Sequence, residues 1–210
     1  TILDPNSNNH LEPGETAQLQ ILLRNNGLSA AENVIAVLSC SDSYVTINTN
    51  TANYGNIAED SQALPQNNFI LSISPSCPGG HTINFNLALS GSGLNWNYSF
   101  PLEVYVPTLE FGSYTVLEVN GDNDGILDPG ETANLSVQLL NTGEVASPAG
   151  TVAITTSTEG INIITGTAQF ASIAGNGNAN LVFSLSADAS VAIGTMANIL
   201  CSAVAGSYSA

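Results

Sequence analysis

Displaced by 116 positions, the sequence overlays itself. LEPGETAQLQILLRNNG (11–27) falls on LDPGETANLSVQLLNTG (127–143), and the register runs without a gap from Leu3 on Val119 to Ala58 on Ala174. Beyond that point the second copy is four residues shorter, so Phe69-Ile70-Leu71 falls on Leu181-Val182-Phe183. GHTINFNLALSG (80–91) then matches GTMANILCSAVAG (194–206). Self-similarity at a fixed displacement means one structural plan used twice. The plan divides the chain into modules 1–106 and 107–210, joined near YVPTLEFG (105–112). Each is of ordinary domain size and must close its own core.

The period inside each copy is two. Ala17, Leu19, Ile21 and Leu23 alternate with Gln18, Gln20, Leu22 and Arg24, and the second copy keeps the inward set as Ala133, Leu135, Val137 and Leu139. Successive side chains of a strand point to opposite faces, so this pattern predicts half-buried strands. The same alternation runs through Val45/Ile47, Phe69/Leu71/Ile73, Ile83/Phe85/Leu87/Leu89 and Trp96/Tyr98/Phe100/Leu102, which puts Trp96 in the core. No long stretch has helical period. Short strands separated by Gly, Asn, Ser and Pro turns predict an all-β chain of two tandem immunoglobulin-like β-sandwich modules. The overlay sets Cys201 on the inward Leu87, so it is expected as a small buried hydrophobe.

The pattern PGET…L…L.N.G…A, present from Pro13 and again from Pro129, resembles the CARDB-like, immunoglobulin-type adhesion repeats of prokaryotic extracellular proteins. That resemblance covers both modules and departs where AENV (31–34) becomes SPAG (147–150). It implies tandem modules that serve as stalks, spacers or adhesive units, often beside catalytic domains, in an extracellular or cell-surface protein.

Charge excludes several partners. Seventeen acids stand against one base, Arg24, for a net charge of −16. Nucleic acids and anionic membranes are held by clustered Lys and Arg, so neither is expected. No apolar run reaches the roughly 18 residues of a membrane-spanning helix. The chain begins at Thr1 and reads as a processed or excised segment.

The acids concentrate in two places. NGDNDGILDPGE (120–131), numbered one to twelve, puts Asn120, Asp122 and Asp124 at positions one, three and five and Gly125 at six. Ile126 follows at seven with its backbone carbonyl, then Asp128 at nine and Glu131 at twelve. This is the oxygen-ligand spacing of a calcium loop with Asn for the first Asp. The first copy, DPNSNNHLEPGE (4–15), repeats it with Asp4, Asn6, Asn8, the carbonyl of His10, Glu12 and Glu15, and Asn9 stands at the glycine position. The copies exchange Asn and Asp at matching positions while keeping oxygen, which a loop that only turns does not require. Ca2+ is the expected ion. Zinc is poorly served by an oxygen-dominated set. A solvated acidic turn is the plainer alternative. The second loop, richer in carboxylates, is expected to bind more tightly.

Three cysteines leave one over. Cys40 and Cys77 each follow a strand-like run and are either a disulfide or two independent thiols. A bridge would stabilise by roughly 3–4 kcal/mol in the chain-entropy model. Cys77 and His81, in CPGGH, lack an evident acid partner for nucleophilic chemistry. With no phosphate loop and no nucleophile elbow, catalysis is not expected. NYS (97–99) and NLS (134–136) make Asn97 and Asn134 glycosylation candidates.

The first module opens on TIL where the second has PTLEFGSYTVLE, and the second closes on SYSA where the first has WNYSFPLEVYV. A missing leading strand and a truncated closing strand leave open edges. These fit either excision from a longer tandem protein or strand sharing between identical chains in a filament. The functional expectation is a calcium-stabilised stalk or filament subunit. A carbohydrate-binding accessory module of a secreted enzyme is the alternative, and exposed Trp or Tyr would mark it.

Overall fold

Alternation decides the layers. In the computed structural model, which describes residues 1–122 and 124–210, burial alternates with period two along most of the longer strands, as in β4, β9, β12 and β16. The described residues are all-β, without a helix. They form two compact units, Thr1–Val106 and Pro107–Ala210. Each unit is an immunoglobulin-like pair of sheets.

The first unit runs β1 (Ile2–Leu3), β2 (Thr16–Leu19), β3 (Leu23–Arg24), β4 (Ala31–Cys40), β5 (Val45–Thr49), β6 (Thr51–Ile57), β7 (Gln62–Ala63), β8 (Phe69–Ile73), β9 (Thr82–Gly91) and β10 (Leu94–Glu103). Its sheets have the orders β1-β2-β8-β5 and β10-β9-β4-β6, with β3 and β7 as a separate pair. Phe69, Phe85, Leu38, Leu71, Ile83 and Leu87 fill the space between them.

The second unit runs β11 (Leu109–Asn120), β12 (Thr132–Asn141), β13 (Gly150–Thr156), β14 (Ile161–Thr165), β15 (Thr167–Phe170), β16 (Asn178–Ala187), β17 (Ile199–Ala205) and β18 (Tyr208–Ser209). Its sheets repeat the plan as β11-β12-β16-β14 and β15-β13-β17-β18. Registers repeat too. Leu38 pairs with Leu87 in the first unit, and the overlaid Ile154 pairs with Cys201 in the second. Cys201 packs against the second core, where burial pushes its thiol pKa up.

The units differ at their ends: β1 has two residues against twelve in β11, and β18 has two against ten in β10. They also differ in mid-strand. β12 is continuous over ten residues, whereas the matching stretch of the first unit is broken into β2 and β3. At the break the hydroxyl of buried Tyr54 donates to the carbonyl of Ile21 at 2.7 Å. The overlaid residue in the second unit is Phe170, beside an unbroken strand. Tyr54 therefore replaces a ladder bond where the ladder fails, and its burial raises the phenol pKa to about 12. Tyr54→Phe leaves that carbonyl without its donor and is expected to cost about 1–3 kcal/mol. Urea denaturation checks this, and a variant as stable as the parent would refute the role.

One core expectation is corrected. Trp96 is 43% exposed and Tyr98 64%. They share the inward phase with Phe100 and Leu102, which do pack on the core. However, β10 is an edge strand, and Trp96 lies opposite Leu89, itself only partly buried. The core ends before the strand does.

Candidate metal centres

The first loop spans β1 to β2 and is coiled by left-handed backbone at Ser7 and Asn9, with Gly14 following. Asn9 takes φ 64° where the second loop has Gly125 at φ 86°, a conformation Asn tolerates better than most residues. The coil turns alternate side chains inward. Asp4 Oδ1 and Asn6 Oδ1 accept from the Asn8 N–H at 3.1 and 3.3 Å, and Asn8 Oδ1 accepts from the His10 N–H at 2.8 Å. Glu12 Oε1 accepts from the side-chain amides of both Asn6 and Asn8, at 2.8 and 2.6 Å.

Two further oxygens are left over. Asp4 Oδ2 and Glu15 Oε2 are buried without a hydrogen-bond partner. Burial, and then the charges of Glu12 and Asp4, push the Glu15 carboxyl up to about 7. Orphaned buried carboxylate oxygens are costly, and a cation among them removes the cost. The predicted set Asp4, Asn6, Asn8, His10, Glu12 and Glu15 thus lies on one coiled segment rich in oxygen donors, although among the described residues its acids are not gathered as closely as those of the second loop.

The second loop joins β11 to β12. Glu118, Asp122 and Asp124 each offer a carboxylate oxygen, and these lie within 4.8 Å of one another, a cluster of one buried and two exposed acids able to hold a metal. Glu118 Oε1 accepts from the Gly125 N–H at 2.6 Å, Asp122 Oδ1 from Asp124 at 3.2 Å and Asp124 Oδ1 from Ile126 at 2.8 Å. Glu131 Oε2 accepts from the Asp128 N–H at 2.9 Å. Asn120 is turned to other use, its Oδ1 accepting from the Thr132 N–H at 2.7 Å. Asp122 and Asp124 are therefore brought together, whereas Asn120 is engaged with the strand that follows.

The spacing rule missed Glu118. It is only 9% exposed, at the end of β11 and opposite Ala133. An acid at the inward phase of a strand was the available signal. Gly121 makes room for it, since a Cβ there would collide with the carboxylates of Glu118 and Glu131. The overlaid residues of the first copy are Ile2 and Pro5, so the extra acid and the glycine that admits it occur together.

The remaining candidates are dispersed. Cys40 and Cys77 are free thiols, so the bridge is not formed in this structure. Each sulfur is engaged locally: Cys40 Sγ accepts from the Asp42 N–H at 3.4 Å, and Cys77 Sγ lies 3.8 Å from the Pro78 carbonyl. His81 does have an acid partner, Asp42, at 2.7 Å. The Tyr44 N–H, and then His81, hold the Asp42 carboxyl below its usual range. Burial, and then the Asp42 charge, push the Cys77 thiol up, away from thiolate. Asn97 is exposed on edge strand β10, whereas Asn134 is half-buried on central strand β12.

No known protein family matches the sequence, and no curated protein does. Among solved structures, the chain is similar to the secreted serine protease VesC of Vibrio cholerae at 12% identity, over 87% of this chain and 45% of that one, with a TM-score of 0.31. It thus spans under half the length of that protease. The CsuC–CsuE chaperone–tip adhesion subunit complex of Acinetobacter baumannii is similar at 14% identity over 94% and 89% of the two chains, TM-score 0.26. The CupB2 chaperone of Pseudomonas aeruginosa is similar at 8% identity over 90% and 85%, TM-score 0.29. These are distant likenesses between β-sandwich proteins.

Proposed function

We propose that the chain is a calcium-stabilised structural or adhesive element of an extracellular surface protein, acting as a stalk or as a subunit of a head-to-tail filament. The observation that carries the reading is the pair of orphaned buried oxygens, Asp4 Oδ2 and Glu15 Oε2, inside a loop of oxygen ligands. Calcium takes six to eight hard oxygens in flexible geometry. The first loop supplies carboxylates, amide oxygens and a backbone carbonyl, and the second supplies the Glu118, Asp122 and Asp124 cluster with Glu131 beside it. Bound calcium neutralises carboxylates that otherwise repel one another, and so fixes both loops. Neighbouring modules or identical chains are the partners such an element takes, and the Lys-free surface, rich in Asn, Ser and Thr, suits an extracellular setting.

Thermal melting with calcium and with chelator tests this. Calcium a hundredfold above its Kd adds about 2.7 kcal/mol, which corresponds to about 10–20 °C in a domain near 100 residues. An unchanged melt removes the ion from the account.

A second reading rests on exposed Trp96 and Tyr98, an aromatic pair on one face of β10. It makes the first unit a carbohydrate-binding module. Under it the chain is retarded on cellulose or chitin, and Trp96→Ala abolishes the retardation. Elution at the void volume on both would dismiss it.

A further inference from the structure

Beyond the loops, the three residues that leave β10, Val104–Val106, are held by contacts from two other segments. Val104 is bonded on both sides of its peptide: its N–H donates to His81 at 2.9 Å, and its carbonyl accepts from Gly80 at 2.8 Å. It also forms an isolated parallel bridge with Leu11. Both residues are fully buried. The Tyr105 N–H donates to the Leu11 carbonyl at 2.8 Å. The Tyr105 ring meets the edge of the His10 ring, with centroids 4.3 Å apart and planes at 69°. Val106 covers Gly79, where a Cβ would collide with the valine methyls.

The exit of the first unit is therefore held between two jaws. One is the C-P-G-G-H turn, whose Cys and His are not needed for any chemistry described above. The other is His10-Leu11, which belongs to the first acidic loop and lies between Asn8 and Glu12. Those two flanking residues are tied together at 2.6 Å, and Asn8 also holds the His10 N–H at 2.8 Å. Whatever fixes Asn8 and Glu12 fixes His10-Leu11, and with them the exit segment.

We infer that cation binding in the first loop clamps the outgoing segment Val104–Val106, so that the ion controls the freedom of the chain where it leaves the module. His10, Tyr105 and Gly79 are the positioning residues of this clamp. The inference rests on the calcium reading and adds to it what the first ion governs. Linkage makes the coupling reciprocal: if the ion tightens the clamp, loosening the clamp weakens the ion.

The test uses the intact chain carrying Asp122→Asn and Asp124→Asn, so that the second cluster is disabled. Calcium is titrated by calorimetry, and residue-resolved hydrogen exchange follows the Val104 and Tyr105 amides in the same samples. Calcium is expected to slow those two amides by about fivefold or more, the low end of usual site–site coupling. Tyr105→Ala and Gly79→Ala, which alter no ligand, are expected to weaken calcium by about the same factor. Either variant suffices if the other fails to fold. Calcium binding with unchanged exchange and unchanged affinity in the variants overturns the clamp and leaves the calcium reading standing. Absence of binding heat overturns both.

Discussion

Phe85→Ala is expected to destabilise the first unit by about 3–5 kcal/mol, the usual cost of deleting a fully buried ring. Phe85 is wholly enclosed, stacks on Phe100 with centroids 5.6 Å apart, and lies opposite Cys40 across the sheet. Alanine leaves a ring-sized cavity between two sheets that cannot close without moving both. The loss is a large share of the roughly 5–15 kcal/mol that holds an ordinary domain together. The second unit supplies its own control. Ile199 lies opposite Thr156, as Phe85 lies opposite Cys40, but β18 is too short to cover it and it is only half-buried. Ile199→Ala is therefore expected to cost less than the 2–5 kcal/mol of a fully buried Ile. Urea denaturation of both variants gives the comparison. Equal losses at the two positions would contradict the difference in burial.

Glu15 carries the second large effect, and its sign depends on calcium. Its carboxyl is raised from an ordinary 4.5 to about 7 in the fold. Between those values the folded chain keeps a proton that the unfolded chain has released, so without calcium stability falls as pH rises from about 4.5 to about 7. Below that window the group is neutral in both states and its burden is absent. Calcium favours the ionised form and is expected to abolish this loss. Glu15→Gln then has opposite consequences in the two media. In chelator at pH 8 it removes a buried, repelled charge and raises the melting temperature. In saturating calcium it removes a ligand and lowers the melting temperature relative to the parent. Melts across pH in both media check this, and a substitution that shifts both by the same amount would contradict a ligand role.

The sequence carried the architecture because its two strongest signals are simple. Alternation of period two has one structural meaning, and Ala17/Leu19 and Ala133/Leu135 are buried in both copies as it requires. Internal duplication marked the two loops as counterparts, and both carry left-handed backbone at the matching positions Asn9 and Gly125. What escaped was set by tertiary contact. Glu118 joins Asp122 and Asp124 from a strand, outside the twelve-residue spacing. Trp96 has the phase of a core residue but lies past the end of the core. Asp42 reaches His81 from 39 positions away, which no local motif can reveal. Tyr54 donates its hydroxyl to a strand break 33 positions away, which no local pattern reveals either.

Calcium titration of the intact chain by calorimetry, at a pH above 7 and after exhaustive chelation, addresses the central claim most directly. Two binding events are expected, the stronger lost in Glu118→Gln with Asp122→Asn and the other lost in Asp4→Asn with Glu15→Gln. No heat of binding from the untouched chain would contradict the account, leaving NGDNDGILDPGE and DPNSNNHLEPGE as acidic turns on two β-sandwiches.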